Sequence, residues 1–291
     1  VLGKRLPIVF VGGAYGCNGA GNLTDSEEKD RRFATTLARG LQVLRAFRAS
    51  DDGLGNQEIS QRTGIPKSTV SRLTFTLQQL GYLSHARRHD RYRFGPAALA
   101  LGNIASASVS FLEAANPMMQ LLADETGTLA LLAVLDENKM LLTKTWRPQG
   151  APAIWLEVGH RIPVTNSSSG HAYLASLNDH EFSQVCERVR GRDENIIVED
   201  LEHARKAGYS QLLSQGFVIV GKEQRYAENI NAVSTGFRSH DFGEPVAISC
   251  GATPETLSWE RMQNEVGPQL RDRVKELERA LGLPSVLVNR G

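Results

Sequence analysis

The sequence predicts an α+β protein in two parts: a small helical domain closed by a hairpin, then a larger domain of mixed helices and strands. Three observations predict it. The 291-residue length exceeds what one ordinary domain needs. Hydrophobic spacing is helical from Phe33 to Leu80 but alternates between short helices and strands after Asn116-Pro117. The charge is segregated: residues 31–95 carry 12 basic and 4 acidic side chains, a net +8, whereas residues 96–291 are net −6 and residues 1–30 are net −1. The near-neutral total of +1 therefore conceals a segment with the electrostatic footprint of a polyanion binder. A solvated basic face is the blander reading of the same charges.

Residues 1–30 read as a disordered leader. Lys4-Arg5 ahead of Leu6–Val11 weakly imitate a secretory signal, but Pro7 and Gly12-Gly13 break the apolar run. The glycine-rich stretch after it lacks the Lys-Ser/Thr of a phosphate-binding loop.

The first helix places Leu37, Leu41, Leu44 and Phe47 on one expected stripe, and Asp51-Asp52-Gly53 ends that pattern. A second helix is expected from about Asn56 to Thr63, with Ile59 inward. Gly64-Ile65-Pro66 then makes a sharp turn, the glycine taking the left-handed position and the proline opening the third helix, about Pro66 to Leu80. Val70, Leu73, Leu77 and Leu80 form its expected buried face. The other face holds Lys67, Ser68, Thr69, Ser71, Arg72 and Thr76, small hydrogen-bonding groups and two cations near a helix start. Such a set suits phosphates and base edges in a major groove. Next, Ser84–Gly95 reads as a hairpin closing near Arg88–Asp90, with Arg87, Arg88, His89, Arg91 and Arg93 as a basic wing. Helix, helix, turn, helix and basic hairpin together predict a winged helix-turn-helix spanning 31–95 and a double-stranded DNA operator as partner.

A linker helix is expected over 96–113. It is alanine-rich and nearly uncharged, with Leu99, Leu101 and Ile104 apolar, so it needs a partner surface. The 114–291 domain should contain helices at about Met118–Glu125, Gly170–Leu177, His180–Arg190 and Leu201–Gln215, and a final one at Trp259–Leu281. Strands are expected at Leu129–Leu135, Met140–Trp146, Phe217–Val220, Ala232–Phe237 and Val246–Cys250. Thr165–Ser169 opens a helix, where hydroxyls and free N–H groups suit a carboxylate, although plain N-capping explains the same residues.

Cys17, Cys186 and Cys250 are scattered and show no metal-ligand spacing, so neither a metal nor a cofactor is expected, and a reducing, cytoplasmic setting fits them. No run of about 18 apolar residues predicts a membrane span. An enzyme using Cys250 or Ser169 as nucleophile and His171 as base is the catalytic alternative, but the chain has no GxSxG turn or HExxH helix. A non-enzyme is therefore expected.

The runs ARGLQVLRAF, EISQRTGIPKSTVSRLTFTLQQLGYL and YRFGPAALALG resemble the DNA-binding half of the IclR family of bacterial transcriptional regulators. The likeness is close over residues 33–102 and looser beyond. It implies a winged helix-turn-helix, a linker helix engaged in dimer contacts, and a C-terminal GAF-like effector-binding domain. It further implies a homodimer or dimer of dimers responding to a small, carboxylated metabolite. Carried onto this chain, the implied effector contacts are Ser167, Ser168, Ser169, Glu223, Asn231 and Cys250, with Trp146 and Trp155 as an aromatic wall, and Asn229 competes with Asn231. Departures include His171 in place of a common lysine and Lys222-Glu223-Gln224 in place of a Glu-Glu pair. A C-terminal domain serving assembly alone is the alternative these departures keep open.

Overall fold

The computed structural model describes residues 32–86, 90–150, 154, 156–193 and 195–286. These divide into two compact units, 32–109 and 110–286, each described by itself. The expected leader and the closing residues of the wing lie outside the described residues.

In the 32–109 unit, α1 (Thr35–Arg45), α2 (Asn56–Thr63) and α3 (Lys67–Gln79) are followed by the hairpin β1 (Leu83–Ala86) and β2 (Arg91–Phe94), then α4 (Pro96–Ala107). Val43, Leu54, Ile59, Ile65, Val70, Leu73, Leu83 and Tyr92 make its core. Gly64 ends α2 in the left-handed region, φ 71°, with its N–H donating to the Ser60 carbonyl. A side chain would be strained there, which is why the turn between α2 and α3 uses glycine. Thr74 Oγ1, buried in α3, donates to Asn56 Oδ1 at 3.0 Å and fixes α3 against the start of α2. Arg62 forks onto both Asp51 oxygens at 2.6 and 2.8 Å, pinning α2 to the loop that follows α1. Leu54 bridges to Tyr92 and adds a third chain segment beside the hairpin.

The expected stripe of α1 needs correction. Leu37 and Leu41 are exposed, and the buried face is Gly40, Gln42 and Val43. Gly40 packs toward Leu73 of α3, on the side of α1 away from the two leucines. On α3, Leu77 is half-buried and Leu80 is exposed.

In the 110–286 unit, α5 (Phe111–Thr126) leads into β3 (Leu129–Asp136), β4 (Lys139–Trp146) and β5 (Arg161–Pro163). Next come α6 (Ser168–Ser176), α7 (Asp179–Arg190), α8 (Val198–Ser214), β6 (Val218–Ile219), β7 (Asn231–Phe237) and β8 (Val246–Ala252). The chain ends in α9 (Trp259–Arg261), a π-helical turn at Met262–Val266 and α10 (Gly267–Ala280). The six strands run in the order β5-β4-β3-β8-β7-β6, with every neighbouring pair antiparallel. Residues paired directly across strands point to one face. One face therefore carries Leu131, Ala133, Ser234, Ser249 and Gly251 and meets α6. The opposite face carries Ala130, Leu132, Asn231, Val233, Phe237 and Cys250, and meets α5 through the packing of Phe237 on Phe111, ring centroids 5.0 Å apart. Between Leu132 and Ala133 the register with β4 shifts by one residue at Thr143. Met140 and Leu142 thus join the α6 face, whereas Trp146 turns to the α5 face and donates its ring N–H to Asn116 Oδ1 at 3.0 Å.

Several expected boundaries move. The linker helix stops at Ala107, and α5 begins at Phe111, running through Asn116-Pro117 where a later start was expected. Proline removes one ladder bond, but Phe111, Leu112 and Ala115 are buried and hold the first two turns in place. The final helix is interrupted, since Pro268 has no N–H to continue the α ladder. The edge strand β5 has three residues, too short to show alternation in the sequence.

Candidate nucleic-acid interface and ligand site

In the 32–109 unit the start of α3 faces solvent. Lys67, Ser68, Ser71, Arg72 and Thr76 are exposed and Thr69 is half-buried. No side-chain hydrogen bond caps this helix among the described residues, so its first N–H groups stay open to an anion. Lys67 Nζ reaches Gln57 Oε1 only at 3.5 Å, and Thr76 Oγ1 returns to the Arg72 carbonyl at 3.0 Å. The wing is less free than its composition suggests. Arg91 donates to the Gly53 carbonyl at 2.7 Å and to Glu58 at 3.2 Å, and Arg93 pairs with Asp52. Sequence reasoning missed these partners, although Asp52 in the acidic pair before Gly53 was a visible signal for Arg93. Partly exposed pairs of this kind hold little net energy, so phosphate can compete for both arginines. Arg87, Arg88 and His89 lie outside the described residues.

In the 110–286 unit the expected ligand residues divide. Ser167 caps α6: its Oγ accepts from the Gly170 N–H at 3.1 Å and donates to the Pro163 carbonyl at 2.6 Å. Behind it lies a buried chain of hydroxyls. Ser169 Oγ meets Ser249 Oγ at 3.0 Å, Ser249 donates to Ser234 at 2.8 Å, and Ser234 donates to Ser168 at 2.7 Å. Ser234 was not foreseen, because its place is set by pairing with Ser249 across β7 and β8. A Cβ at Gly170 would fall 1.9 Å from the Val164 carbonyl oxygen, so only glycine lets the 164–167 loop close on the helix start. His171 Nε2 lies 2.6 Å from the Thr165 carbonyl and so carries the proton, leaving buried Nδ1 with no partner among the described residues. Burial depresses its pKa, against the opposing effect of that carbonyl. The Tyr226 N–H donates to the Asn166 carbonyl at 3.0 Å, drawing the 221–230 loop over the same end. On the other side Ile154 approaches Gly251, and Arg147 clamps the Ile154 and Leu156 carbonyls at 3.1 and 2.6 Å.

The remaining expected contacts do not share this face. Trp146, Asn231 and Cys250 point to the α5 side of the sheet. Asn231 Nδ2 donates to the Leu257 carbonyl at 2.7 Å, and the Cys250 thiol, fully buried beside Thr128, is pushed up to about 12 by burial. Cys250 is thus packed as a small core residue, and it faces away from the helix that carries His171. Of the two nucleophiles in the catalytic alternative, Cys250 faces away and Ser169 bonds Ser249, and neither is hydrogen-bonded to His171 among the described residues. Glu223 is exposed on a turn, Asn229 is exposed, and Trp155 lies outside the described residues. Among the described residues, no cluster of three or more His, Cys, Asp or Glu could hold a metal ion, and no single helix is long and apolar enough to cross a membrane.

Residues 36–87 match the IclR helix-turn-helix domain, and residues 105–279 match the bacterial transcriptional regulator IclR C-terminal domain. The chain is 25% identical over 267 residues to the HTH-type transcriptional regulator TsaQ1/TsaQ2 of Comamonas testosteroni, an alignment covering 90% of this chain and 95% of that one. The crystal structure of an IclR family transcriptional regulator from Brucella abortus is similar at TM-score 0.67 and 29% identity, over 90% of this chain and 98% of that one. An IclR homolog from Microbacterium hydrocarbonoxydans, solved in complex with 4-hydroxybenzoate, shares the fold at TM-score 0.62 and 22% identity, over 87% and 99% of the two chains.

Proposed function

This chain belongs to the IclR family of bacterial transcriptional regulators, and from that premise we propose that it binds a specific operator and is switched by a small carboxylate metabolite. The observation that carries the first half is the single exposed face of α3, where Lys67, Ser68, Ser71 and Arg72 surround an open helix start inside the +8 segment. Arg72 is the base reader, its fork matched to guanine O6 and N7. Lys67 and the wing arginines position the duplex through phosphate.

The effector half rests on the start of α6. Ser167–Ser169 supply hydroxyls and N–H groups where the carboxylate would sit, against the net −6 of this part of the chain. The complex of the Microbacterium hydrocarbonoxydans relative with 4-hydroxybenzoate supports a ligand of that chemistry. The protein works as a homodimer or dimer of dimers, because α4 buries no residue and leaves Leu99, Leu101 and Ile104 exposed. Two copies then meet the two halves of a palindrome.

The test selects an operator from a random duplex pool and titrates it over a range of salt. Arg72→Ala should weaken binding by roughly 10- to 100-fold and relax one base position, whereas Lys67→Ala should weaken all sequences alike and flatten the salt slope by about one unit. Unchanged affinity and slope in both variants would sink the DNA reading. A second reading, in which the 110–286 unit serves assembly only, is favoured by one observation: the Ser168, Ser169, Ser234 and Ser249 hydroxyls already satisfy one another. Thermal shifts with 4-hydroxybenzoate and a panel of small organic acids separate the two, since a ligand that prefers the folded state raises its stability.

A further inference from the structure

The loop between β7 and β8, residues 238–245, makes contacts that neither half of that reading uses. Its side chains go to two places. Arg238 and Glu244 reach back to α6 and α7. Arg238 forks onto Glu181 at 2.8 Å from each nitrogen. Glu244 accepts from the Tyr173 hydroxyl, which is buried in α6, and from Arg188 Nη2 at 2.8 and 2.9 Å. Asp241 and Phe242 go instead to the first residues of α5. Asp241 accepts from the Ser110 N–H at 3.1 Å, from Ser110 Oγ at 2.9 and 3.0 Å, and from the Phe111 N–H at 3.3 Å. It takes the place of the N-cap side chain that α5 lacks. Phe111 packs between Phe237 and Phe242, with ring centroids at 5.0 and 6.0 Å.

Ser110 is the first residue of the 110–286 unit, so the chain arrives there directly from α4. One end of α6 opens on the Ser167–Ser169 site, and Tyr173 lies one turn and more along the same short helix. We infer that the 238–245 loop is a coupling element, with Asp241 and Glu244 as positioning residues that make the helix start at Ser110 depend on the placement of α6. The inference rests on the regulatory reading above. A shift of α6 moves Tyr173 and Glu244 together, and the loop carries the cap with them. A cap that loosens frees the segment that enters from the DNA-binding unit. The effector needs only to favour one placement of α6 over another to act through this contact.

The experiment uses the full chain and needs neither ligand nor operator for its first arm. Amide hydrogen exchange is followed at residues 110–116 in Tyr173→Phe, Glu244→Gln, Asp241→Ala and Asp241→Asn. Tyr173→Phe removes one hydroxyl and keeps the ring, and Tyr173 packs on the α6 face of the sheet, opposite the face that meets α5. It should nonetheless speed exchange at 110–116 by roughly tenfold, as should Glu244→Gln and Asp241→Ala, while Asp241→Asn, which keeps an acceptor oxygen, restores most of the protection. If Tyr173→Phe and Glu244→Gln speed exchange at 238–245 only, the loop does not couple and the inference fails. The second arm measures affinity for the selected operator. Asp241→Ala should change it severalfold; no change overturns the coupling role, while Arg72→Ala tests the DNA-binding reading separately in the same assay.

Discussion

Ser249 and Ser234 face each other across the β7–β8 pair, and their hydroxyls are 2.8 Å apart at the centre of the buried chain that ends on α6. The two middle hydroxyls, Ser249 and Ser234, each give one bond and receive one, so removing either leaves one donor and one acceptor unpaired out of reach of water. Ser234→Ala should therefore lower unfolding free energy by about 1–3 kcal/mol in a urea titration, more than the loss of one oxygen atom from an exposed site. A change below about 0.5 kcal/mol would mean that the serines are not mutually bound.

The pair between Arg62 and Asp51 makes a pH-dependent contribution to the DNA-binding unit. Burial pushes the Asp51 carboxyl up, but the Arg62 guanidinium and the Arg48 N–H outweigh it, and the folded pKa lies below the ordinary value. The sign follows: the stabilisation is present above the usual carboxylate range and is lost as pH falls through the depressed folded value. Arg62→Ala should cost about 1–3 kcal/mol near neutral pH and much less in acid, read from exchange protection of α2.

Glu278 gives the opposite sign. Burial in α10 raises its carboxyl to about 7, against the Val286 N–H that favours the charged form. Stability linked to this group is present at low pH and is lost as pH rises through about 7. Glu278→Gln should match the parent protein near pH ~5 and exceed it near pH ~8.5 by on the order of 1–2 kcal/mol in thermal or urea unfolding. Equal stabilities at both values would show that the carboxyl titrates normally.

The exposed face of α4 predicts association. Leu99→Asp and Ile104→Asp change residues that are 67% and 69% exposed, so the monomer fold should tolerate them. Sedimentation should show a lighter species in both variants, with operator affinity lost faster than single half-site contacts would require. Unchanged mass would place the subunit contact elsewhere.

The helix-turn-helix was legible because its determinants are local. Gly64 sits one residue past the helix it ends, and Pro66 immediately precedes the helix it opens. Charge segregation pointed to the right segment, but the partners of Arg91 and Arg93 are about 40 residues upstream or fewer in a loop whose fold depends on the Leu54–Tyr92 bridge. The start of α5 was illegible for the same reason: Asn116-Pro117 reads as a stop, while Asp241, which caps the helix, is 131 residues from Ser110. The face on which the expected contacts lie was hidden by parity. Ser249 and Cys250 are neighbours in sequence, and only the pairing of β8 with β3 and β7 decides which of them meets α6.

The one-residue slip at Thr143 carries the same logic into comparative work. It acts as a reading-frame change for side chains: before it, even-numbered residues of β4 look toward α6, and after it they look toward α5. A relative that lacks that single residue would have a regular ladder there and would present the same groups from the far end of β4, with only the odd–even count changed. Alignments through this strand must place their gap at Thr143, or they will exchange positions facing α6 for positions facing α5 in every residue that follows.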